Sequence, residues 1–295
     1  MAIATAQVVI NGTTYNMTYD SASGKYVATI LAPNASSYNQ TDHVYNTTIT
    51  ATNTAGTSAS VNKSDYSPLG LRVYERVAPT VSAISPATGS SIITNSPTVS
   101  FNVTDADSGI DISTLDIKVD GTSVSTGIAT SAITNGYSVT LTGLSLADGS
   151  HTISASVSDH DGNTDTESTT FTVDTVAPTL NVTAPTTGTI TATSTVHVVG
   201  TTNDETSSPV TVTIAVNGTT QSTVAPQNGS FDETITLSVG SNAIVITATD
   251  SAGKTTTQTV NVTYDNSVPE ITNVTVSPNP ADAGATVIIT ATIVG

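Results

Sequence analysis

Two stretches of the sequence, "ISASVSDHDGNTDTESTTFTVD" at Ile153–Asp174 and "IVITATDSAGKTTTQTVNVTYD" at Ile244–Asp265, are copies of one pattern. In each, apolar and polar residues alternate on both sides of a polar turn that contains Gly162 or Gly253. Alternation with a period of two predicts β-strands, and an Asp followed by Gly predicts the turn between them. A third copy, "TITATNTAGTSASV", lies at Thr48–Val61. We therefore predict three hairpins, each of which ends a β-domain.

A second repeated phrase marks the joints between these domains. It occurs as "VAPTV" at Val77–Val81, "VAPTL" at Val176–Leu180 and "SVPEI" at Ser267–Ile271, with prolines 99 and 91 residues apart. A nearly constant period is typical of an array of similar domains. The predicted organisation is an incomplete domain at residues 1–77, two domains at 78–175 and 176–266, and a strand pair at 267–295.

The composition and the strand spacing predict the fold class. Charged residues make up 10% of the chain and aromatic residues 4%, whereas Thr and Val, which suit a half-buried pleated surface, are abundant. In "TVSFNVTD", Val99, Phe101 and Val103 share one face of a strand. Similar short runs recur every 8–12 residues or so between Gly, Pro, Asn and Asp, as in a two-sheet sandwich of about 100 residues. The predicted fold is all-β, a tandem row of such sandwiches.

The charge balance and the absence of several signals exclude whole classes of function. Six Lys and Arg stand against 23 Asp and Glu, a net charge of −17, so we expect no nucleic-acid partner. There is no cysteine, and therefore no disulfide or thiolate site. No apolar run reaches the length of a membrane span, and the first residues lack the pattern of a signal peptide. We expect neither membrane insertion nor a signal peptide in this chain.

The chain resembles bacterial immunoglobulin-like repeat families in three features. These are the Pro joints, the turns "TATDSAGK" and "SVSDHDGN", and the final strand "TVNVTYD". The resemblance implies tandem immunoglobulin-like β-sandwiches over essentially the whole chain. The runs "INGTTYNMTYDSASGKYVATILAPNASSYNQ" and "LGLRVYERVAPTV" are similar to Ig-like proteins encoded in prophage tail regions of Gram-positive bacteria. That similarity implies a virion protein, which leaves the host by lysis and needs no export signal.

Catalysis is not expected. The four histidines are scattered and lack metal-binding spacing, and no serine lies in a nucleophile-elbow context. We predict that the chain is not an enzyme and that it needs no organic cofactor.

Two acidic loops predict a calcium site. Asp105 and Asp107 follow the second strand of their domain, and Asp161 lies in its last hairpin turn. These loops lie at the same end of an Ig-like sandwich, and clustered carboxylates suit Ca²⁺. The equivalent loops of the next domain, which are less acidic, contain Asn203, Asp204, Glu205 and Asp250. The alternative is ordinary turn chemistry, in which each Asp accepts hydrogen bonds from nearby N–H groups.

Two segments near the first joint hold much of the aromatic and cationic content of the chain. Tyr38, Tyr45, Arg72 and Tyr74 are of types enriched at protein interfaces. They are predicted either to dock onto a larger particle or to pack between the first and second domains.

The two ends of the chain predict an intersubunit contact. "NGTT" at Asn11–Thr14 aligns with "NGTT" at Asn217–Thr220, so the first domain begins at its third strand. The last residues form two strands, with an apolar face of Val287, Ile289, Ala291 and Ile293. We expect this strand pair to complete the first domain of a neighbouring subunit and to build a ring or filament. The alternative is that the chain was cut from a longer array.

The function expected from the sequence is therefore that of a structural or decoration component of a phage virion, and its expected place is the tail. The alternative is a cell-surface filament or adhesin of a bacterium or archaeon. The expected partners are copies of the chain and other virion or surface proteins. Binding of a cell-surface glycan by exposed loops is compatible with both. The expected location is the virion surface or another extracellular surface.

Overall fold

The computed structural model describes residues 2–295, which are built almost entirely from strands. They divide into two compact units, one ending at Val173 and one beginning at Asp174. Three short 3₁₀ helices interrupt the strands, at Thr41–His43, Ser67–Leu69 and Gln227–Gly229.

The N-terminal segment, residues 2–77, is built around one antiparallel sheet in the order β2-β1-β5-β6, in which β7 also pairs with β5. Its other two strands, β3 and β4, form a separate hairpin. Asn11 and Gly12 both have positive φ in the two-residue turn between β1 and β2, as Asn-Gly hairpin turns require. The strands are β1 (Ile3–Ile10), β2 (Thr13–Asn16), β3 (Thr18–Asp20), β4 (Lys25–Val27), β5 (Tyr45–Asn53), β6 (Ser58–Val61) and β7 (Gly70–Leu71).

The middle sandwich, residues 80–173, completes the first unit. Its strands are β8 (Thr80–Val81), β9 (Ser91–Ile92), β10 (Val99–Thr104), β11 (Ile110–Val119), β12 (Thr122–Val124), β13 (Ile128–Ile133), β14 (Gly136–Leu141), β15 (Gly149–Asp159) and β16 (Thr164–Val173). One sheet has the order β13-β14-β10-β8 and the other β12-β11-β15-β16-β9, in which β9 runs parallel to β16. Alternate residues of both sheets point inward, so Val99, Phe101, Val103 and Phe171 are buried in one core.

The C-terminal sandwich, residues 179–264, repeats this arrangement in the second unit. Its strands are β17 (Thr179–Ala184), β18 (Thr189–Thr191), β19 (Thr195–Asn203), β20 (Thr211–Val216), β21 (Thr219–Val224), β22 (Ser230–Thr236), β23 (Gly240–Thr249) and β24 (Thr255–Tyr264). The sheets have the orders β17-β19-β22 and β18-β24-β23-β20-β21, again with a parallel pair, β18 and β24. Phe231, Ile246 and Val262 lie in its core.

Two further strands, β25 (Glu270–Ser277) and β26 (Ile288–Val294), form an antiparallel pair by themselves, here called the terminal strand pair. Within residues 2–295 they join no other sheet. Most of their side chains are exposed, including those of Ile289 and Ile293 at 69% and 66%.

The register of the terminal strand pair matches that of the first and third strands of each sandwich, β8 with β10 and β17 with β19. Thr80 pairs with Thr104, Thr179 with Asn203, and Glu270 with Val294, so in each case the partner lies 24 residues further along the chain. Each pairing begins on the residue after a joint proline. The pair therefore has the local structure of the opening strands of an Ig-like sandwich.

The fold class predicted from the sequence is confirmed. The three predicted hairpins are present as β5–β6, β15–β16 and β23–β24. The N-terminal segment, by contrast, contains no counterpart of β10 or β19 among residues 2–77.

Candidate functional site

The sandwich fold brings two acidic loops together at one end of the middle sandwich. Asp105 follows β10 directly, and Asp159 is the last residue of β15, where the hairpin turn to β16 begins. Gly162 has a φ of 91° in this turn. The Asp159 carboxylate accepts hydrogen bonds from the turn N–H groups of Asp161 and Asn163, both at 2.9 Å. The strand ends thus determine where both carboxylates lie.

These two residues meet Glu75 from the N-terminal segment to form the first acidic cluster (Glu75, Asp105, Asp159). One carboxylate oxygen of each lies within 4.8 Å of the others. Ser108 N–H donates to Glu75 Oε1 at 2.6 Å, and Asn163 Nδ2 donates to Asp159 Oδ2 at 2.8 Å. Burial raises the pKa of Glu75, and the charges of Asp105 and Asp107 raise it further. Hydrogen bonding by Ser108 lowers this pKa but does not cancel the increase. The cluster concentrates negative charge where the N-terminal segment meets the middle sandwich.

Asp107 and Asp161, both predicted calcium ligands, are not part of this cluster. Asp107 Oδ2 accepts the N–H of Ser36 at 2.8 Å, and Asp161 Oδ2 accepts the N–H of Glu75 at 2.9 Å. Each carboxylate therefore holds the backbone of the N-terminal segment against the middle sandwich. Of the predicted set, only Asp105 lies in the cluster, because the loops turn the other two carboxylates toward the preceding segment.

The aromatic residues of the N-terminal segment have separate roles. The Tyr38 ring stacks between His43 and His160, with ring centroids 4.4 Å and 4.0 Å apart, so it packs at the contact with the middle sandwich. The interface prediction is wrong for Tyr45, because its side chain is buried in the core of the N-terminal segment. Its hydroxyl donates to the carbonyl oxygen of Ala35 at 3.2 Å.

Arg72 and Tyr74 lie at the surface, as an interface role requires. The Arg72 guanidinium carbon is 5.4 Å from the centroid of the Tyr74 ring. Both side chains are exposed.

The second acidic cluster (Asp174, Asp204, Asp250) lies within the second unit and repeats the first. Asp204 follows β19, Asp250 begins the β23–β24 turn, and one carboxylate oxygen of each residue lies within 4.8 Å of the others. Lys254 N–H donates to Asp250 Oδ1 at 2.9 Å, and Val176 N–H donates to Asp174 Oδ1 at 3.1 Å. Asp174 Oδ2 and Asp250 Oδ2 are buried and lack a hydrogen-bond partner in the described chain.

Sequence reasoning found the loop carboxylates but missed the linker carboxylates, Glu75 and Asp174. The spacing of acidic residues before the joint prolines could have revealed them. Glu75 and Asp174 each precede the joint proline, Pro79 or Pro178, by four residues, and Asp265 precedes Pro269 by the same distance. An acidic residue at a constant distance before each joint is the mark of a repeated site rather than of chance composition.

His151 forms the most enclosed histidine contact that the structure shows. Its Nδ1 is 2.7 Å from Asp120 Oδ2, and its Nε2 is 2.8 Å from the carbonyl oxygen of Ala147. Burial disfavours the charged ring, but these hydrogen bonds and the Asp120 charge outweigh it and raise the pKa of His151 above 6.5. The pair is a structural contact on the middle sandwich.

We expect Asp120→Asn to lower the pKa of His151 in an NMR titration. A raised histidine pKa stabilises the fold below the unfolded value of 6.5, and this contribution is lost as the pH rises through the folded value. The variant should therefore lose more stability at pH 5.5 than at pH 8.5. Because Asp120 is half exposed, the loss should stay below about 1 kcal/mol. An unchanged His151 titration would contradict this assignment.

Two family models match parts of the chain. Residues 79–155 match the bacterial Ig domain family, and residues 178–266 match domain B of glucodextranase. No curated protein matches the sequence. Immunoglobulin-like domain families are generally non-catalytic, and bacterial Ig domains are typically extracellular or surface-exposed. Within residues 2–295, no helix has the length and apolar composition needed to cross a bilayer.

Solved structures resemble the chain at low identity. The fibronectin(III)-like modules of Clostridium thermocellum CbhA are 18% identical, with a TM-score of 0.41 over 63% of this chain and 94% of that one. Domains A168–A170 of titin are 11% identical, with a TM-score of 0.44 over 87% and 86%. The strand order of the two sandwiches and the two family matches identify the architecture. The chain is a tandem immunoglobulin-like repeat protein, of which residues 79–155 match the bacterial Ig domain family.

Proposed function

We propose that this protein is a non-catalytic structural or decoration subunit of a phage virion, at its tail, and that its copies join head to tail by strand addition. The observation that supports this proposal is the terminal strand pair, which has the register of β17 and β19 but, within residues 2–295, no second sheet to cover it. Exposed apolar strands favour association with a matching edge.

The apolar face of the terminal strand pair supports this assembly. Ile271 pairs with Ile293 and Val276 with Ile289, so four large apolar side chains share one face. By the common register, Ile289 corresponds to Val198, which is fully buried in the C-terminal sandwich. The face that a sandwich would bury is therefore exposed here.

The N-terminal segment offers a matching acceptor. Among residues 2–77, its core cluster has three buried apolar side chains, Val8, Ile10 and Tyr45, and Ala6 is buried outside that cluster. An open groove of about 330 Å³ runs beside Ile10, Ile30 and Leu71. This segment lacks the strands that the terminal strand pair resembles, so apolar side chains from a second copy would extend its core.

Such a contact joins two different surfaces of the subunit. Repeating a contact between unlike surfaces produces a ring when the rotation closes and an open filament when it does not. Main-chain hydrogen bonds would supply affinity, and the inward side chains would set the register.

The assembly is tested by mutating the two faces of β26. Ile289→Asp places a charge on the face proposed to enter the neighbour, so the full chain should lose its oligomers in analytical ultracentrifugation. Ile288→Asp is the matched control, because Ile288 corresponds to the exposed His197 and should leave assembly unchanged. Deletion of residues 267–295 should also yield monomers.

Three results would exclude strand addition. The first is that the full-length chain is monomeric at tens of micromolar. The terminal strand pair would then be covered by the rest of a longer array instead. The second is an equal effect of the Ile288 and Ile289 variants. The third is an unchanged oligomer after the deletion.

The virion assignment is tested by locating the protein. Antibodies against the chain should label the tails of purified phage particles and sediment with them. Labelling of intact cell walls without particles would support the alternative, a filament or adhesin on a bacterial or archaeal surface. Arg72 and Tyr74, both exposed, are the proposed contacts to other virion or surface proteins. A glycan array would show whether exposed loops also bind cell-surface carbohydrate.

A further inference from the structure

We propose that the second acidic cluster, Asp174, Asp204 and Asp250, is a Ca²⁺ site. The three carboxylates come from the linker, from the loop after β19 and from the β23–β24 turn. Their ligand oxygens lie within 4.8 Å of one another. Oxygens that bind one Ca²⁺ at about 2.3–2.6 Å cannot be more than about 5 Å apart, so the spacing suits a shared ion.

The strongest observation is that two of these carboxylates are buried with an unused oxygen. Asp174 is 0% exposed and Asp250 is 5% exposed. In each, Oδ1 accepts a local N–H, whereas Oδ2 has no partner among residues 2–295. Turn chemistry explains the first oxygen but not the second. A buried ionised oxygen without a partner is costly, so a further group is needed there.

Within residues 2–295, no positively charged side chain forms an ion pair with these oxygens. Lys254, whose backbone N–H donates to Asp250, directs its ammonium group to the carbonyl oxygen of Thr175 at 2.6 Å. No Lys or Arg nitrogen in the described part of the chain lies within 4.0 Å of the three carboxylates. A bound cation would balance the charge.

The ligand chemistry favours calcium over other cations. All three ligand groups are carboxylates, and the site has no nitrogen or sulfur ligand that would select zinc or copper. The hydroxyl of Ser207, on the same loop as Asp204, is also buried without a partner. Ca²⁺ accepts six to eight oxygens in flexible geometry, whereas Mg²⁺ requires a near-ideal octahedron and retains its waters.

Comparison with the first acidic cluster shows why the second needs an ion more. In the first, the side chain of Asn163 donates to Asp159 Oδ2 at 2.8 Å. Four residues after Asp250, the equivalent position is Lys254, which donates to Thr175 instead. The first cluster therefore satisfies by hydrogen bonding an oxygen that the second leaves unpartnered.

A bound ion would also have a structural effect. It would tie Asp174, four residues before the Pro178 joint, to two loops of the C-terminal sandwich. The linker backbone would then be held at a fixed place on that sandwich. Calcium would thus regulate how firmly this joint is ordered.

The test is calorimetric titration of the EDTA-treated full chain with CaCl₂, together with thermal melts in CaCl₂, MgCl₂ and EDTA. Ca²⁺ should bind and raise the melting temperature of the transition that contains the C-terminal sandwich, because a ligand of the native state stabilises it. Asp250→Asn and Asp174→Asn should each weaken binding about 10-fold or more. Asp232→Asn, at an exposed carboxylate of the same sandwich, is the control and should bind normally.

The sign of the stability change makes the test decisive. Asparagine retains the oxygen that accepts the Lys254 N–H but removes one charge from a crowded cluster. Asp250→Asn should therefore melt below wild type in CaCl₂, and at or above it in EDTA. Equal wild-type melts in CaCl₂ and EDTA, or an equal loss by the variant in both, would overturn the site. An equal effect of MgCl₂ would overturn its assignment to calcium.

Discussion

Replacing Phe171 by alanine is expected to lower the free energy of unfolding of the middle sandwich by about 3–5 kcal/mol. Phe171 is 1% exposed and is the largest of its fully buried side chains. It projects from β16 into the core that both sheets share. Truncation removes the transfer free energy of the ring and leaves a cavity that strands on two sides cannot readily fill.

The full chain is unfolded in urea, and the transition is monitored with a probe that reports on the first unit alone. Ser168→Ala is the matched control, because Ser168 lies on the same strand with an exposed side chain, and its effect should stay within about 0.5 kcal/mol. A loss below about 1 kcal/mol for Phe171→Ala would mean that the core refills around the missing ring.

Replacing Gly200 by valine is expected to destabilise the C-terminal sandwich by at least about 2 kcal/mol. Gly200 lies on the central strand β19, between Val182 of β17 and Phe231 of β22. A Cβ atom there would lie 2.5 Å from Phe231 Cζ and 2.6 Å from the Asn181 carbonyl oxygen. Both distances are too short for carbon, so the ring or a strand must move.

A double-mutant cycle identifies which neighbour resists the change. Phe231→Leu shortens the side chain that the new Cβ meets, so it should recover part of the stability lost in Gly200→Val. Thr201→Val, on the exposed face of β19, is the control and should have little effect. Strictly additive losses in the cycle would contradict the proposed clash with the ring.

The second acidic cluster and the terminal strand pair both lie next to a joint proline. The terminal strand pair begins after Pro269, and Asp265 precedes that proline as Asp174 precedes Pro178. Ser267 N–H donates to Asp265 Oδ1 at 2.9 Å, as Val176 N–H donates to Asp174 Oδ1. The joint before the C-terminal sandwich and the joint before the terminal strand pair thus share this local hydrogen bond.

The sequence by itself determined the strands and the hairpins. Alternation in "TVSFNVTD" assigned Val99, Phe101 and Val103 to one face, and all three are buried. Glycine turns located the ends of the hairpins. These features depend on neighbouring residues only, since side-chain direction in a strand alternates whatever the strand packs against. The same rule could have placed Tyr45 correctly, because it begins β5 in phase with the buried Thr47.

Only the tertiary structure decided which carboxylates meet. Asp105 and Asp159 are 54 residues apart and approach because two sheets pack face to face. Glu75 joins them because the linker crosses the end of the middle sandwich. Asp107 lies two residues from Asp105, yet its carboxylate lies outside the cluster and accepts a hydrogen bond from the N–H of Ser36. Such contacts depend on the path of the chain between domains, which residue type and local period do not encode.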